Sequence, residues 1–219
     1  MKRPISLILL LLISYWGKSQ GIDWDQWDPE NLHRANTAAN FTSYTEDEKK
    51  VVFFMNLARI NGELFASTIL DKYVEVNNVN NNSYLRSLYR DLKNTAGLKP
   101  LIPVEDLTAT ALKHAVESGK SGYVGHKNFS KRFSSLIGDP YSNIGENCSY
   151  GHKDAIDIVI TLLIDDGIKG VGHRENTLNP DFNSVGLAIR EHKNYRYNCV
   201  IDFGWIDKSN LNEVPGFSN

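Results

Sequence analysis

Three short polar motifs hold the residue types that do chemistry: Gly125-His126, Gly145-Glu146-Asn147 and Gly172-His173-Arg174-Glu175-Asn176. Each sets an imidazole or a carboxylate beside a glycine, where the backbone can turn tightly or approach another group closely. Two imidazoles and one carboxylate converging from separate elements form a site that holds a transition metal or shuttles protons. In that arrangement His126 and His173 ligate a borderline cation. Glu146 then accepts hydrogen bonds from water on the ion or orients one of the histidines. A structural alternative stays open, in which Glu146 and His173 form a buried hydrogen-bonded pair tying a strand to a loop.

The remaining polar candidates read as structural. His114 sits on the inward face of a helix, the usual place of a satisfied core histidine. His152 falls at a strand–helix turn and is expected to be solvated, while His33 and His192 have no partner visible in the sequence. Arg174 and Glu175 pin the loop after His173, and Asn147 and Asn176 hydrogen-bond backbone at turns. Ser142, Ser149 and Ser184 suggest a serine hydrolase, but none lies in a nucleophile-elbow sequence. Cys148 and Cys199 are the only cysteines, each in a segment that reads as a strand. In an oxidising compartment they are predicted to bridge; the alternative is two buried thiols acting as small hydrophobes.

The elements that must position these groups follow from caps and periodicity. Thr45-Glu46-Asp47-Glu48 is a capping box that opens a helix running to Asn61-Gly62, with a second helical piece over Leu64–Leu70. The asparagine-rich stretch from Asn77 to Asn82 is a loop, and Leu85, Leu88 and Leu92 share one face of a short helix ending at Lys93. Lys99-Pro100-Leu101-Ile102-Pro103 is an extended link. Asp106 is the expected N-cap of a helix reaching Ser118. A strand follows over residues 143–150, and Asp154 caps a helix to Ile164 that is apolar nearly all round, hence sandwiched between layers. Residues 185–189 and 197–203 form two more strands, joined as a hairpin around His192-Lys193-Asn194. Helices first, then a few strands with one helix among them, predict an α+β sandwich.

Composition bounds the setting. Lys2 and Arg3 precede an apolar run from Ile5 to Ile13, and Gly17, Lys18 and Ser19 follow, so residues 1–19 read as a secretory signal peptide too short to span a bilayer comfortably, with an N-terminal membrane anchor as the alternative. Residues 20–44 read as an irregular N-terminal arm, 45–206 as the folded domain and 207–219 as a C-terminal tail. Removing Lys2, Arg3 and Lys18 from 24 basic residues leaves 21 against 26 acidic ones, a net charge near −5 for the mature chain. With no basic stripe, nucleic acid is not an expected partner. The expected location is secreted or periplasmic, with no transmembrane segment in the mature chain and a monomeric state.

The order of these motifs resembles the CAP superfamily, whose domain is also called SCP and which includes cysteine-rich secretory proteins, antigen 5 and pathogenesis-related proteins. The resemblance is carried by Asn56-Leu57-Ala58-Arg59, Leu98-Lys99-Pro100-Leu101, His114-Ala115 and Gly125-His126. It continues through Gly145-Glu146-Asn147, Gly172-His173-Arg174 and Asn179-Pro180, then Val185-Gly186-Leu187-Ala188. It spans roughly residues 45 to 205, and the scarcity of cysteine matches the bacterial branch. It implies a three-layer α-β-α sandwich with a central antiparallel sheet and a polar cleft, in which some members bind zinc or another divalent ion through two histidines. The matching positions are His126, Glu146 and His173. The family's second glutamate, on the helix before the last histidine, is missing; Asp165 and Asp166 lie nearby to substitute. Asp166 and Arg174 complete the expected cleft with Glu146. The implied function is a secreted module whose cleft binds a lipid, glycan or peptide, with a divalent metal on the two histidines. The competing function is a metal-dependent hydrolase of an envelope or extracellular polymer, with Glu146 as general base. A scaffold whose polar cluster only holds the fold together is the third.

Overall fold

The computed structural model describes residues 21–138 and 140–206. The leader read over residues 1–19 and the tail read over 207–219 lie outside the described residues. Among the described residues, no helix is long and apolar enough to cross a membrane.

The first helix lies inside the segment read as an irregular arm. Helix α1 (Pro29–Ala35) is capped by Asp28, whose carboxylate accepts from the Glu30 N–H, and Pro29 occupies its first turn. Both are ordinary start signals, because proline's missing N–H costs nothing there. Just before it, buried Trp27 donates its indole N–H to Thr68 Oγ1 at 3.0 Å, which seats the arm on the domain. Helix α2 (Glu46–Ile60) begins with the capping box, both reciprocal bonds present. Glu48 does more than cap: its second oxygen accepts from the Ile189 N–H at 2.9 Å and from Arg190 at 2.8 Å. A helix start is thereby tied to a strand.

Helix α3 (Gly62–Phe65) runs through a π turn (Ala66–Leu70) into α4 (Asp71–Asn77), and α5 (Ser83–Lys93) is capped by Asn82. After the two-residue strand β1 (Ile102–Pro103) comes α6 (Glu105–Ser121). Its N-cap is Val104 rather than Asp106, whose carboxylate accepts instead from the Leu107 N–H and from the Tyr141 hydroxyl at 2.6 Å. A single turn α7 (Phe129–Arg132) leads to strand β2 (Tyr141–Tyr150). Helix α8 (Ala155–Ile164), capped by Asp154 as expected, and α9 (Gly172–Leu178) precede the hairpin of β3 (Ser184–His192) and β4 (Arg196–Ile206).

The sheet order is β1-β3-β4-β2. The three long strands pair antiparallel, and β1 adds to the β3 edge in parallel over two residues. Alternation along the strands then divides the molecule into three layers. Val185, Leu187, Cys199, Ile201 and Phe203 pack into the large core with α2 and α8, whereas Ala188 and Val200 pack with Ala111 and Ala115 of α6. On the α6 side the approach is close enough to require glycine: a Cβ at Gly186 would stand 2.1 Å from the Leu107 carbonyl carbon and the Thr108 nitrogen.

The same alternation overturns the expected disulfide. Cys148 is paired in register with Val200 and Cys199 with Ser149. The two cysteines are one position out of step, so their side chains leave opposite faces of the sheet. Cys148 belongs to the α6 cluster and Cys199 to the large core. Both are free and buried, and thiols pointing apart cannot bridge without moving the backbone.

Two of the motif residues named above fasten this frame. Asn56 bridges Ala35 and Leu101, donating to both carbonyls and accepting from the Leu101 N–H at 2.7 Å. Arg59 is fully buried and donates to the carbonyls of Lys99, Thr177, Asn179 and Phe182. Burial lowers its pKa to about 10, and losing it would leave four carbonyls unmatched, each a cost of about 1–3 kcal/mol.

Candidate functional site

Strand β2 is an outer strand of the sheet, and the candidate residues gather around its edge from both layers. Glu146 projects toward the α6 side. Its Oε1 accepts from His126 Nδ1 at 2.7 Å and from Arg132 Nη2 at 2.9 Å, and Arg132 Nη1 lies 2.7 Å from Oε2. Burial alone would push this carboxyl upward, but the bonds from His126 and Arg132 outweigh it and hold the pKa below the usual range. Glu146 is therefore ionised and accepts only, so His126 carries its proton on Nδ1.

His173 arrives from the other layer, in the first turn of α9. Its backbone N–H donates to Asp165 Oδ2 at 2.9 Å and its Nδ1 pairs with Oδ1 at 2.7 Å. Asp165 is buried at the end of α8 in the left-handed conformation, φ +56°, where an aspartate is better tolerated than most side chains. Of the two aspartates considered from the sequence, Asp165 is the one at the site. Asp166 is exposed and accepts from Asn82 Nδ2 at 2.7 Å, so its expected place in the cleft is corrected. Arg174 is corrected likewise. It is buried and turned into the helical layer, donating to the carbonyls of Leu163, Ile164 and Tyr84, to Ser87 Oγ and to Asp91. Adjacent residues on a helix point about 100° apart, so neighbouring His173 in sequence does not bring Arg174 to the same surface.

His126, Glu146 and His173 do gather at one place, but the pairing differs from the alternative of a Glu146–His173 bond. The two imidazole rings stand 6.5 Å apart between centroids, tilted by 42°. Each has given its Nδ1 to a carboxylate, and among the described residues neither Nε2 has a hydrogen-bond partner. A histidine whose far nitrogen is fixed by a carboxylate is the arrangement that orients a metal ligand. A divalent ion at this place would be held through the two Nε2 atoms, the nitrogens left without protein partners among the described residues. His126, with 47% of its side chain exposed, has more room to adjust than His173, at 20%.

The supporting contacts explain why the motifs have these residues. Asn147 donates to the His173 carbonyl at 2.8 Å, and Asn176 donates to Asn147 Oδ1 at 2.9 Å. The second and third motifs are thus fastened together by their asparagines. A Cβ at Gly145 would fall 2.9 Å from the Phe182 ring, so the glycine is needed for a close approach. Gly125 has φ +108°, and its loop is gripped twice: Tyr150 Oη accepts the Gly125 N–H at 2.8 Å, and His114 Nε2 meets the Gly125 carbonyl at 2.9 Å. Burial lowers the His114 pKa, which favours the neutral ring with its proton on Nε2. His192, without a visible partner in the sequence, meets the Tyr123 carbonyl through Nε2 at 3.0 Å.

His114, Glu146 and Cys148 bring their ligating atoms within 4.8 Å of one another. The chemistry there does not suit a cation. Arg132 already neutralises Glu146, His114 has committed its Nε2, and burial pushes the Cys148 thiol well above its ordinary value. Two members of the site were not found from the sequence. Arg132 sits in an ordinary Lys131-Arg132 pair with no motif around it. Asp202, fully buried beside Glu146, did leave a signal as an acidic residue inside the apolar strand Val200-Ile201-Asp202-Phe203.

Several known proteins are similar to this chain. The sequence model of the cysteine-rich secretory protein family, CAP, matches residues 55–203. An uncharacterized protein of Bacillus subtilis, YkwD, is 29% identical over 99 residues, covering 43% of this chain. The chain spans 37% of that relative's own length. Among solved structures, an outer surface protein of Borrelia burgdorferi aligns with TM-score 0.44 and 18% identity over 59% of this chain and 97% of its own. An extracellular SCP-domain protein of Bacillus anthracis aligns with TM-score 0.43 and 16% identity over 74% of this chain and 44% of its own.

Proposed function

Because this chain belongs to the cysteine-rich secretory protein (CAP) family, we propose that it is an exported binding module. Its cleft takes a small ligand, a lipid, glycan or peptide, whose polar group is held between His126 and His173. The observation that carries this reading is the pair of carboxylate-oriented imidazoles, each with Nε2 free of protein partners among the described residues. The donor set also fits a divalent ion such as zinc. His126 and His173 would hold it, and it would supply a positive centre for an anionic or carbonyl group of the ligand.

The hydrolase reading has less support. A general base works best with a pKa near the operating pH. Glu146 is buried and engaged by His126 and Arg132, which hold its pKa in the opposite direction. Ser149 and Ser184 are buried, and Ser184 donates to the Gly204 carbonyl at 2.8 Å; Cys148 Sγ lies 3.8 Å from His126 Nδ1, but burial pushes its thiol well above the ordinary value, so among the described residues no activated nucleophile stands beside the histidines. Export is supported by the leader read over residues 1–19.

Titration calorimetry with zinc on the mature protein tests the histidine pair. We expect a heat of binding at micromolar metal that disappears in the double variant His126→Ala, His173→Ala; equal heats would sink the metal. A panel of envelope glycans and lipids, with and without zinc, tests the module. Glu146→Gln should keep a ligand's affinity within about tenfold, whereas an enzyme would lose turnover by about a thousandfold or more.

A further inference from the structure

Asp202 lies at the centre of β4 with no solvent exposure. Glu146 is its in-register neighbour on one side and Gly186 on the other. Above Gly186 the backbone of α6 closes down at Leu107 and Thr108. The N–H groups there are already spent, Thr108's on the Val104 carbonyl and Leu107's on Asp106. Among the described residues neither carboxyl oxygen of Asp202 has a hydrogen-bond partner. Glu146 Oε2 is in the same position: Arg132 Nη1 is 2.7 Å away as an ion pair, but outside hydrogen-bond alignment.

Two buried carboxyls facing each other across a ladder have few ways to be satisfied. Both ionised, they repel, and the guanidinium that could offset them, Arg132, is turned onto Glu146. The other titratable groups do not help: burial pushes up the thiols of Cys148 and Cys199, which feel the charge of Asp202, His114 beside Glu146 is biased toward neutrality, and the β3 neighbour is a glycine. A proton between the two carboxyls satisfies an oxygen on each and leaves one negative charge opposite one positive charge.

We propose that Asp202 is a neutral carboxylic acid in the folded protein and donates its proton to Glu146, which makes it a positioning residue for the His126 half of the cleft. The acid steadies one oxygen of Glu146 while the other receives His126. Burial, the charge of Glu146 and contact with its side chain all push Asp202 well above the usual carboxylate range, against a smaller opposing influence of Arg132. The inference stands whatever the cleft binds.

Carbon-13 spectra of the wild-type protein, labelled at aspartate carboxyls, test this directly. One aspartate resonance should remain at the protonated position from pH 4 to pH 7 while the others titrate below. A spectrum in which every aspartate is ionised at pH 7 overturns the proposal. The variant Asp202→Asn, whose amide can donate to Glu146 in the acid's place, gives a second reading. An acid kept neutral by folding loses stability as pH rises above its unfolded value, about 3.9. The ratio of folding constants, variant over wild type, should therefore climb by up to tenfold per pH unit from about pH 4 until the native acid ionises. A flat or falling ratio overturns the proposal, and a purely structural role would give the flat one. Should the variant fail to fold, the wild-type spectra decide alone.

Discussion

His126 and His173 meet at one sheet edge from opposite layers, and the two halves are secured differently. Asp165 grips His173 by ring and backbone together and has no lysine or arginine partner among the described residues. Glu146 grips only the ring of His126, and itself depends on Arg132. One imidazole is fixed by two neighbouring bonds on a helix; the other hangs on a turn and is half exposed. The difference teaches that a two-histidine site need not be rigid throughout. A fixed half can set the register while a looser half adapts to what enters, at the cost of a buried charge that needs its own counter-ion.

The largest effect expected from this contrast falls on Arg132. Arg132→Ala leaves Glu146 buried beside Asp202 without a cation, and breaking a buried pair from one side costs about 3–5 kcal/mol. Urea midpoints at constant slope measure it, and a loss smaller than that of Asp165→Ala would reverse the comparison. Asp165→Ala removes two accepted bonds and should cost about 1–3 kcal/mol. Through His173, it should also weaken zinc about 10–100-fold, read by calorimetry. Acid comes next. A folded pKa held below its unfolded value contributes stability present above about pH 4.3 and lost as pH falls through the folded value. Glu146 should therefore add a loss of stability below about pH 4 that Arg132→Ala no longer shows, seen in unfolding curves from pH 6 down to pH 2. His126→Ala should cost no more than about 1 kcal/mol, because its ring is half exposed; a cost equal to that of His173→Ala would erase the distinction between the halves. Smallest of all, reductant should leave the melting temperature unchanged, since the two thiols are not bridged.

Much of this frame was legible where a local rule decides the outcome. Thr45 with Glu48, and Asp154 before its helix, are caps whose geometry depends on a few residues of chain. The motif glycines and His126, Glu146 and His173 were legible as types. What escaped depends on one residue of phase. Whether Asp165 or Asp166 reaches the site turns on where α8 ends, and Cys148 faces away from Cys199 because the two stand one step apart in the β2–β4 ladder. Arg174 was misplaced for the same reason, being one helical step from the histidine it follows. Arg132 carried no local mark, since only the fold brings α7 onto β2.

The link from α8 to α9 makes a last point. It leaves Asp165 and reaches Val171 with left-handed conformations at Asp165, Gly167, Gly170 and Val171, and residues 166–170 are exposed. The two helices are joined elsewhere, by Asp165 on His173 and by the Arg174 guanidinium on the carbonyls of Leu163 and Ile164. A protease cut or an inserted peptide within this link would sever the covalent path and leave those clasps in place. The half-site would outlive the break in its own chain.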